Sequence, residues 1–277
     1  MKKLSFLLLF VTAQTIAQEV AITFDDLPFG YSAGYSEEQK VTAMDQLLMT
    51  LDKHGVTATM LITSSNISEE NKVILDRVKE AGHQTGNHSH RHFNFNNVSA
   101  KRYMLDIDSC QILARQWFNS NYFRYPMLRR GNTSAKRDSV YAFLKKAGYI
   151  IAPVSIDNNE WIYNRDYSKA KRNGNTAEMK KIASEYLKHM QEVSLSYHSK
   201  ARNLTGRDVK HVLLLHANPI NCDYLDELLT WYKSAGWSFI SLDEALKDPI
   251  YQSNEDLVSD HGWSQIDKLV KISKENK

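Results

Sequence analysis

Residues 20 to 26 read Val20-Ala21-Ile22-Thr23-Phe24-Asp25-Asp26, a short β-rich run that leads straight into two adjacent acids. A continuous run of this kind, without polar alternation, marks a strand covered on both faces, as strands of parallel sheets are. Comparable runs recur at 56 to 62, 83 to 86, 121 to 125, 149 to 155, 211 to 215 and 237 to 240, with helical patterns between them. Ser36 with Gln39 and Ser241 with Glu244 fit capping boxes, while Gly55, Gly148 and Gly236 stand where helices should stop. Strand, helix, strand, helix predicts an α/β fold with a parallel sheet. About seven such units predict a distorted (β/α)7 TIM-like barrel in a single domain.

In such a barrel the chemistry sits at the C-terminal ends of the strands. Asp25 and Asp26 end the first strand, and His88, His90 and His92 follow the third. Arg124 ends the fourth, Asp157 follows the fifth, and His216 ends the sixth. If residues 88 to 92 form a helical turn, His88 and His92 share a face and His90 points elsewhere; if they are extended, all three share one face. Imidazoles with a carboxylate suit zinc, and three protein ligands leave a position open for water. Adjacent acids on a continuing strand face opposite sides, but Leu27-Pro28 turns the chain and can aim both at one pocket. One then completes a metal site and the other serves as base. A turn-capping pair of aspartates is the structural alternative. Taken singly, His216, Arg124 and Asp157 each have an ordinary structural reading too: a satisfied histidine, an ion pair and a turn residue.

Composition bounds the rest. At 277 residues and 42% apolar content the chain is long enough for one large core. Lys2 and Lys3, an apolar run from Leu4 to Val11 and small residues to Ala17 have the layout of a secretory signal over 1–17. That run is too short to span a bilayer, so an exported protein in the periplasm or outside the cell is expected, with no membrane anchor. Removing Lys2 and Lys3 takes the formal charge from +3 to +1, which gives no argument for nucleic acid. Cys110 and Cys222 fit either one disulfide or two buried thiols. A catalytic domain over 18–247 is interrupted by an insertion at 162 to 210, with its own amphipathic helix after a Thr176 cap and 11 basic against 5 acidic residues. Those charges make either a solvated helix face or a basic wall beside a substrate groove. Residues 248–277 form a polar tail packed on the domain, and nothing in the sequence speaks to oligomeric state.

These segments resemble the polysaccharide deacetylases, metal-dependent carbohydrate esterases of family 4 that share the NodB homology domain. Thr23-Phe24-Asp25-Asp26 resembles the first motif, implying Asp25 as catalytic base and Asp26 as metal ligand. His88-Ser89-His90-Arg91-His92 resembles the second, implying His88 and His92 as ligands and His90 as spacer. Arg124-Tyr125-Pro126 resembles the third, with Arg124 positioning the base and the Met127 amide placed as oxyanion donor. Asp157 to Trp161 resembles the fourth motif and Leu214-Leu215-His216 the fifth, implying His216 as a general acid tuned by Asp157. Trp161, Tyr125 and Leu215 are then substrate contacts along with Met127. The sequence departs from the pattern at Leu27, where glycine is usual, at Met127-Leu128, where Tyr-Gly is frequent, and at Phe93, where proline is usual. The resemblance implies one divalent metal, zinc by donor type, and an acetylated oligo- or polysaccharide as substrate.

Overall fold

The computed structural model describes residues 18–31, 34–252 and 257–275; the signal-like segment 1–17 lies outside them. Seven strands form one parallel sheet: β1 Gln18–Leu27, β2 Thr59–Ile62, β3 Gln84–Asn87, β4 Tyr122–Phe123, β5 Ile150–Ile151, β6 Lys210–His216 and β7 Trp237–Ile240. Their order is β5-β4-β3-β2-β1-β6, with β7 beside the first half of β1. Between them run α1 Glu37–His54, α2 Val73–Glu80, α3 Ala100–Ala114, α4 Ser134–Lys146, α5 Trp161–Arg172, α6 Thr176–Thr205, α7 Pro219–Ser234, α8 Leu242–Ala245 and α9 Gln265–Glu275. Each expected strand is present. The barrel is distorted where β4 and β5 shrink to two residues each and the ring closes on β6 through a single bridge, Ile156 to Leu213.

β1 is the axis of the fold because both of its edges are paired, with β6 along one side and β7 then β2 along the other. Val20, Ile22 and Phe24 are fully enclosed in the main core, and each buried side chain of this size contributes roughly 1.5–3 kcal/mol. Gly86 in β3 answers a different demand, since a Cβ there would press on Leu61 and on the Tyr122 backbone. Only glycine lets β4 approach so closely.

Local signals mostly landed. Ser36 and Gln39 form a reciprocal capping box on α1, and Gly55 caps that helix in the left-handed region. Ser241 caps only a single turn. The insertion forms two helices, α5 and the 30-residue α6, and α6 is capped by Asn175, one residue before the expected Thr176. Among its basic residues, Lys171 pairs with Asp223, Lys200 with Asp267, Arg202 with Asp208 and Arg207 with Asp248. These pairs favour the solvated-face reading over a basic wall. Cys110 and Cys222 are both free and buried. Among the described residues no helix is long and apolar enough to cross a membrane.

Candidate metal and catalytic centre

Asp25 and Asp26 reach one pocket because the strand gives way between them. Asp26 has φ 67, in the left-handed region, and the pairing of β1 with β2 slips between Phe24 and Leu27. The irregularity turns a side chain that a regular strand would aim elsewhere. Thr63 Oγ1 then donates to Asp26 Oδ1 at 3.1 Å, and Asn66 Nδ2 donates to the Asp26 carbonyl at 3.3 Å.

The histidine turn is held just as closely. Asn87 Oδ1 accepts from the Ser89 N–H, Ser89 Oγ accepts from the His92 N–H, and the buried Asp106 carboxylate on α3 accepts from the His90 and Arg91 N–H groups. Ser89 and His92 take φ values of 71 and 52. His88 Nδ1 lies 2.9 Å from the Arg124 carbonyl, an acceptor that places the proton on Nδ1 and leaves Nε2 free to ligate. His90 Nδ1 instead lies 2.9 Å from Ser64 Oγ, outside the cluster.

Ligand atoms of Asp26, His88 and His92 all lie within 4.8 Å of one another. Asp26 Oδ1 is 3.6 Å from His92 Nε2 and 4.0 Å from His88 Nε2. Two ligands each about 2.0–2.1 Å from one ion stand at most about 4.2 Å apart, and both carboxylate–imidazole separations lie inside that limit; the N,N,O donor set suits zinc. Burial works to raise the Asp26 carboxyl, but the charges of His92, His216 and His88 and the Thr63 hydroxyl hold it below its ordinary value. Burial pushes His88 down to about 4, against the pull of Asp25 and Asp26, so its imidazole is neutral, as a metal ligand must be. His90→Ala is expected to leave metal content unchanged. His92→Ala should weaken binding by more than the roughly 10–100-fold typical of losing an outer-shell partner. Metal titration of both variants checks this, and equal affinities would remove His92 from the ligand set.

Asp25 sits beside this cluster. The fully buried Arg124 donates from Nη1 to Asp25 Oδ1 at 2.8 Å and to Thr23 Oγ1 at 2.9 Å, and from Nε to the Ala152 carbonyl at 3.0 Å. Asp25 Oδ2 stays turned toward His88 Nε2 at 3.4 Å. One carboxylate oxygen is thus locked while the other faces the Asp-His-His cluster.

His216 has a carboxylate partner that the sequence does not single out. Its Nδ1 lies 2.8 Å from Glu160 Oε1, and Glu160 also accepts from the His216 N–H. Glu160 is completely buried, and Asn218 and Asn221 donate to its carboxylate as well. Asn221 in turn accepts from the Tyr186 hydroxyl on α6, so the insertion braces this network. Burial works to lower His216, but the hydrogen bond and charge of Glu160, then Asp26 and Asp25, push it up to about 10. Asp157 is near enough to feel His216, but burial raises its carboxyl and the hydrogen bond belongs to Glu160. Glu160 was missed, although it is the other carboxylate of the same loop and directly precedes Trp161.

The expected substrate contacts divide in two. Trp161 and Met127 stand about half exposed at the mouth, and Met127 carries φ 56. Tyr125 is buried and stacked with Phe95 and Tyr103, while Leu215 is sealed in the main core. Trp161 and Met127 therefore offer open side-chain surface, while Tyr125 and Leu215 sit behind it.

A parallel barrel with an Asp-His-His cluster at its C-terminal mouth defines a class of hydrolase scaffold, and comparison with known proteins names the family. The sequence pattern described as Polysaccharide deacetylase matches residues 12–149, and the chain belongs to that family. The match takes in β1 to β4; β6, with His216, lies beyond it. The chain is similar to the peptidoglycan-N-acetylmuramic acid deacetylase PdaA of Bacillus subtilis, 24% identical over 242 residues, covering 86% of this chain and 74% of that protein. Its fold resembles a family 4 acetyl xylan esterase from Clostridium thermocellum in complex with a cobalt ion: TM-score 0.55, 20% identity, 83% of this chain and 91% of the other. It also resembles a CE4 family pseudoenzyme, BA3943 from Bacillus anthracis: TM-score 0.57, 16% identity, 83% of this chain and 66% of the other.

Proposed function

We propose that this chain is a metal-dependent hydrolase that removes acetyl groups from an extracytoplasmic carbohydrate, N-acetylated and chitin-like or peptidoglycan-like. Segment 1–17 serves as its export signal, and 18–247 is the catalytic domain. One observation carries the reading: Asp26, His88 and His92 cluster beside an Asp25 locked by Arg124, with a His216 locked by Glu160 close enough to shift Asp26. A pseudoenzyme would be expected to lack one of these groups, and the presence of Asp25, Asp26, His88, His92 and His216 together supports the catalytic reading.

Zinc held by Asp26, His88 and His92 would act as a Lewis acid on the acetyl carbonyl and raise the acidity of water. Asp25 takes the proton of the attacking water on its free oxygen, while Arg124 keeps the carboxylate oriented. The Met127 amide donates to the oxygen that gains charge. His216, kept protonated by Glu160, delivers a proton to the departing sugar nitrogen. An amide needs that proton more than an ester does, because an unprotonated amine is a poor leaving group, and this favours N-acetyl over O-acetyl substrates.

Acetate release from a panel of N-acetylated and O-acetylated oligosaccharides, with and without chelator, tests the reading. Release from the N-acetylated members, abolished by chelation and restored by zinc, is expected. Release from O-acetylated xylan alone would identify an esterase instead, and no release from any member would favour a binding protein.

A further inference from the structure

The chain beyond the family match places a short segment, residues 259 to 264, against the turn that carries the Met127 amide. Gly262 lies so close to Met127 that an added Cβ would overlap the Met127 carbonyl oxygen and come within 3.2 Å of Leu128 Cβ. Its φ is not positive, so glycine is required there by space and not by conformation. The turn it touches is strained, with Met127 and Leu128 at φ 56 and 55. Such settings are unfavourable and persist only where the surroundings enforce them.

The segment is itself tied on both sides. The Asp260 carbonyl accepts from Asn96 Nδ2 at 2.9 Å, beyond the histidine turn, and Asp260 Oδ1 accepts from Asn132 Nδ2 at 3.0 Å, beyond the Met127 turn. Trp263 Nε1 donates to Ser259 Oγ at 2.7 Å. The Gln265 N–H donates to the Val154 carbonyl at 2.6 Å, and Ile266 is sunk in the main core.

We infer that residues 259 to 264 are a strap that sets the orientation of the Met127–Leu128 turn, with Gly262 and Asp260 as positioning residues for the reaction. This rests on the deacetylase reading for its consequence, since the Met127 amide is the oxyanion donor there. The mechanism is contact: the glycine backbone supports the Met127 carbonyl, and Asp260 bridges the loops on either side. A peptide plane held at both ends presents its N–H in one direction without reorganising during the reaction.

Three variants and two readouts test this. Gly262→Ala should lower kcat about 10–100-fold, with KM changed by less than about twofold and zinc content unaltered. Asp260→Ala should lower kcat by a smaller factor, and Asp260→Asn, which keeps an oxygen for Asn132, should restore it. Independently of activity, hydrogen exchange of the Leu128 amide, which donates to the Tyr125 carbonyl across this turn, should quicken in Gly262→Ala and Asp260→Ala but not in Asp260→Asn. If Gly262→Ala does not fold, the Asp260 pair decides alone. Unchanged exchange and unchanged kcat in folded variants would overturn the strap. Faster exchange in a protein whose wild type releases no acetate would overturn the deacetylase reading and leave the strap standing.

Discussion

Asp25→Asn will bind zinc as the wild type does yet lose about two to four orders of magnitude in kcat, whereas Asp26→Asn will lose metal and turnover together. The two residues are neighbours in sequence with nearly opposite surroundings. Asp25 is buried against Arg124 through Oδ1 and faces His88 through Oδ2, so its removal takes away a proton acceptor and no ligand of the cluster. Asp26 belongs to the Asp-His-His cluster, and the histidines around it hold its carboxyl below the ordinary value against the effect of burial. Neutralising Asp25 also leaves the Arg124 guanidinium buried without its carboxylate, at a cost of about 3–5 kcal/mol. Its thermal midpoint should therefore fall even though its metal content does not. Metal analysis, melting curves and single-turnover acetate release on the same preparations separate the terms. Wild-type turnover in Asp25→Asn, or wild-type metal affinity in Asp26→Asn, would reverse the assignment.

Why the two aspartates were legible as a pair, though not in their geometry, follows from what each depends on. The buried run before them marks the end of β1 from local composition alone. Their shared orientation depends on the left-handed turn at Asp26 and the slipped register with β2, and neither leaves a periodic trace. The choice between His90 and His92 has the same character. Sequence left both a helical and an extended reading open, and the choice rests on backbone contacts from Asp106, a residue on α3.

Glu160 shows the limit most clearly. Asp157 and Glu160 are both acids within the loop that follows β5, and motif resemblance pointed at the first. The turn decides for the second: Asn158 Nδ2 donates to the Leu214 carbonyl at 2.6 Å, its Oδ1 accepts from the Glu160 N–H, and Asn159 takes φ 56. Together these fold Glu160 inward beneath His216. A hydrogen bond spanning 56 residues has no counterpart in local periodicity. The tail is a similar case. Polar composition suggested a surface wrap, but the contact of Gly262 with Met127 is a matter of tertiary placement.

Glu160→Gln is the second large expectation, and its signature is a shift in pH dependence. His216 acts as an acid, so turnover requires its protonated form and is lost as pH rises through its folded pKa. Glu160 is the leading partner that pushes that value up to about 10 against the effect of burial. Glutamine keeps a hydrogen-bond acceptor but removes the charge, so the basic limb of kcat should move to lower pH. At neutral pH the rate should fall about 10–100-fold, the loss being greater for an N-acetyl substrate than for an O-acetyl ester. Stability of the chelated protein gives an independent reading. A folded pKa raised above about 6.5 contributes stability that is complete below that pH and is lost between about 6.5 and about 10 as pH rises. Glu160→Gln should flatten that decline, while Asp157→Asn should leave it nearly intact. A basic limb that stays in place in Glu160→Gln and moves in Asp157→Asn would return the tuning role to Asp157.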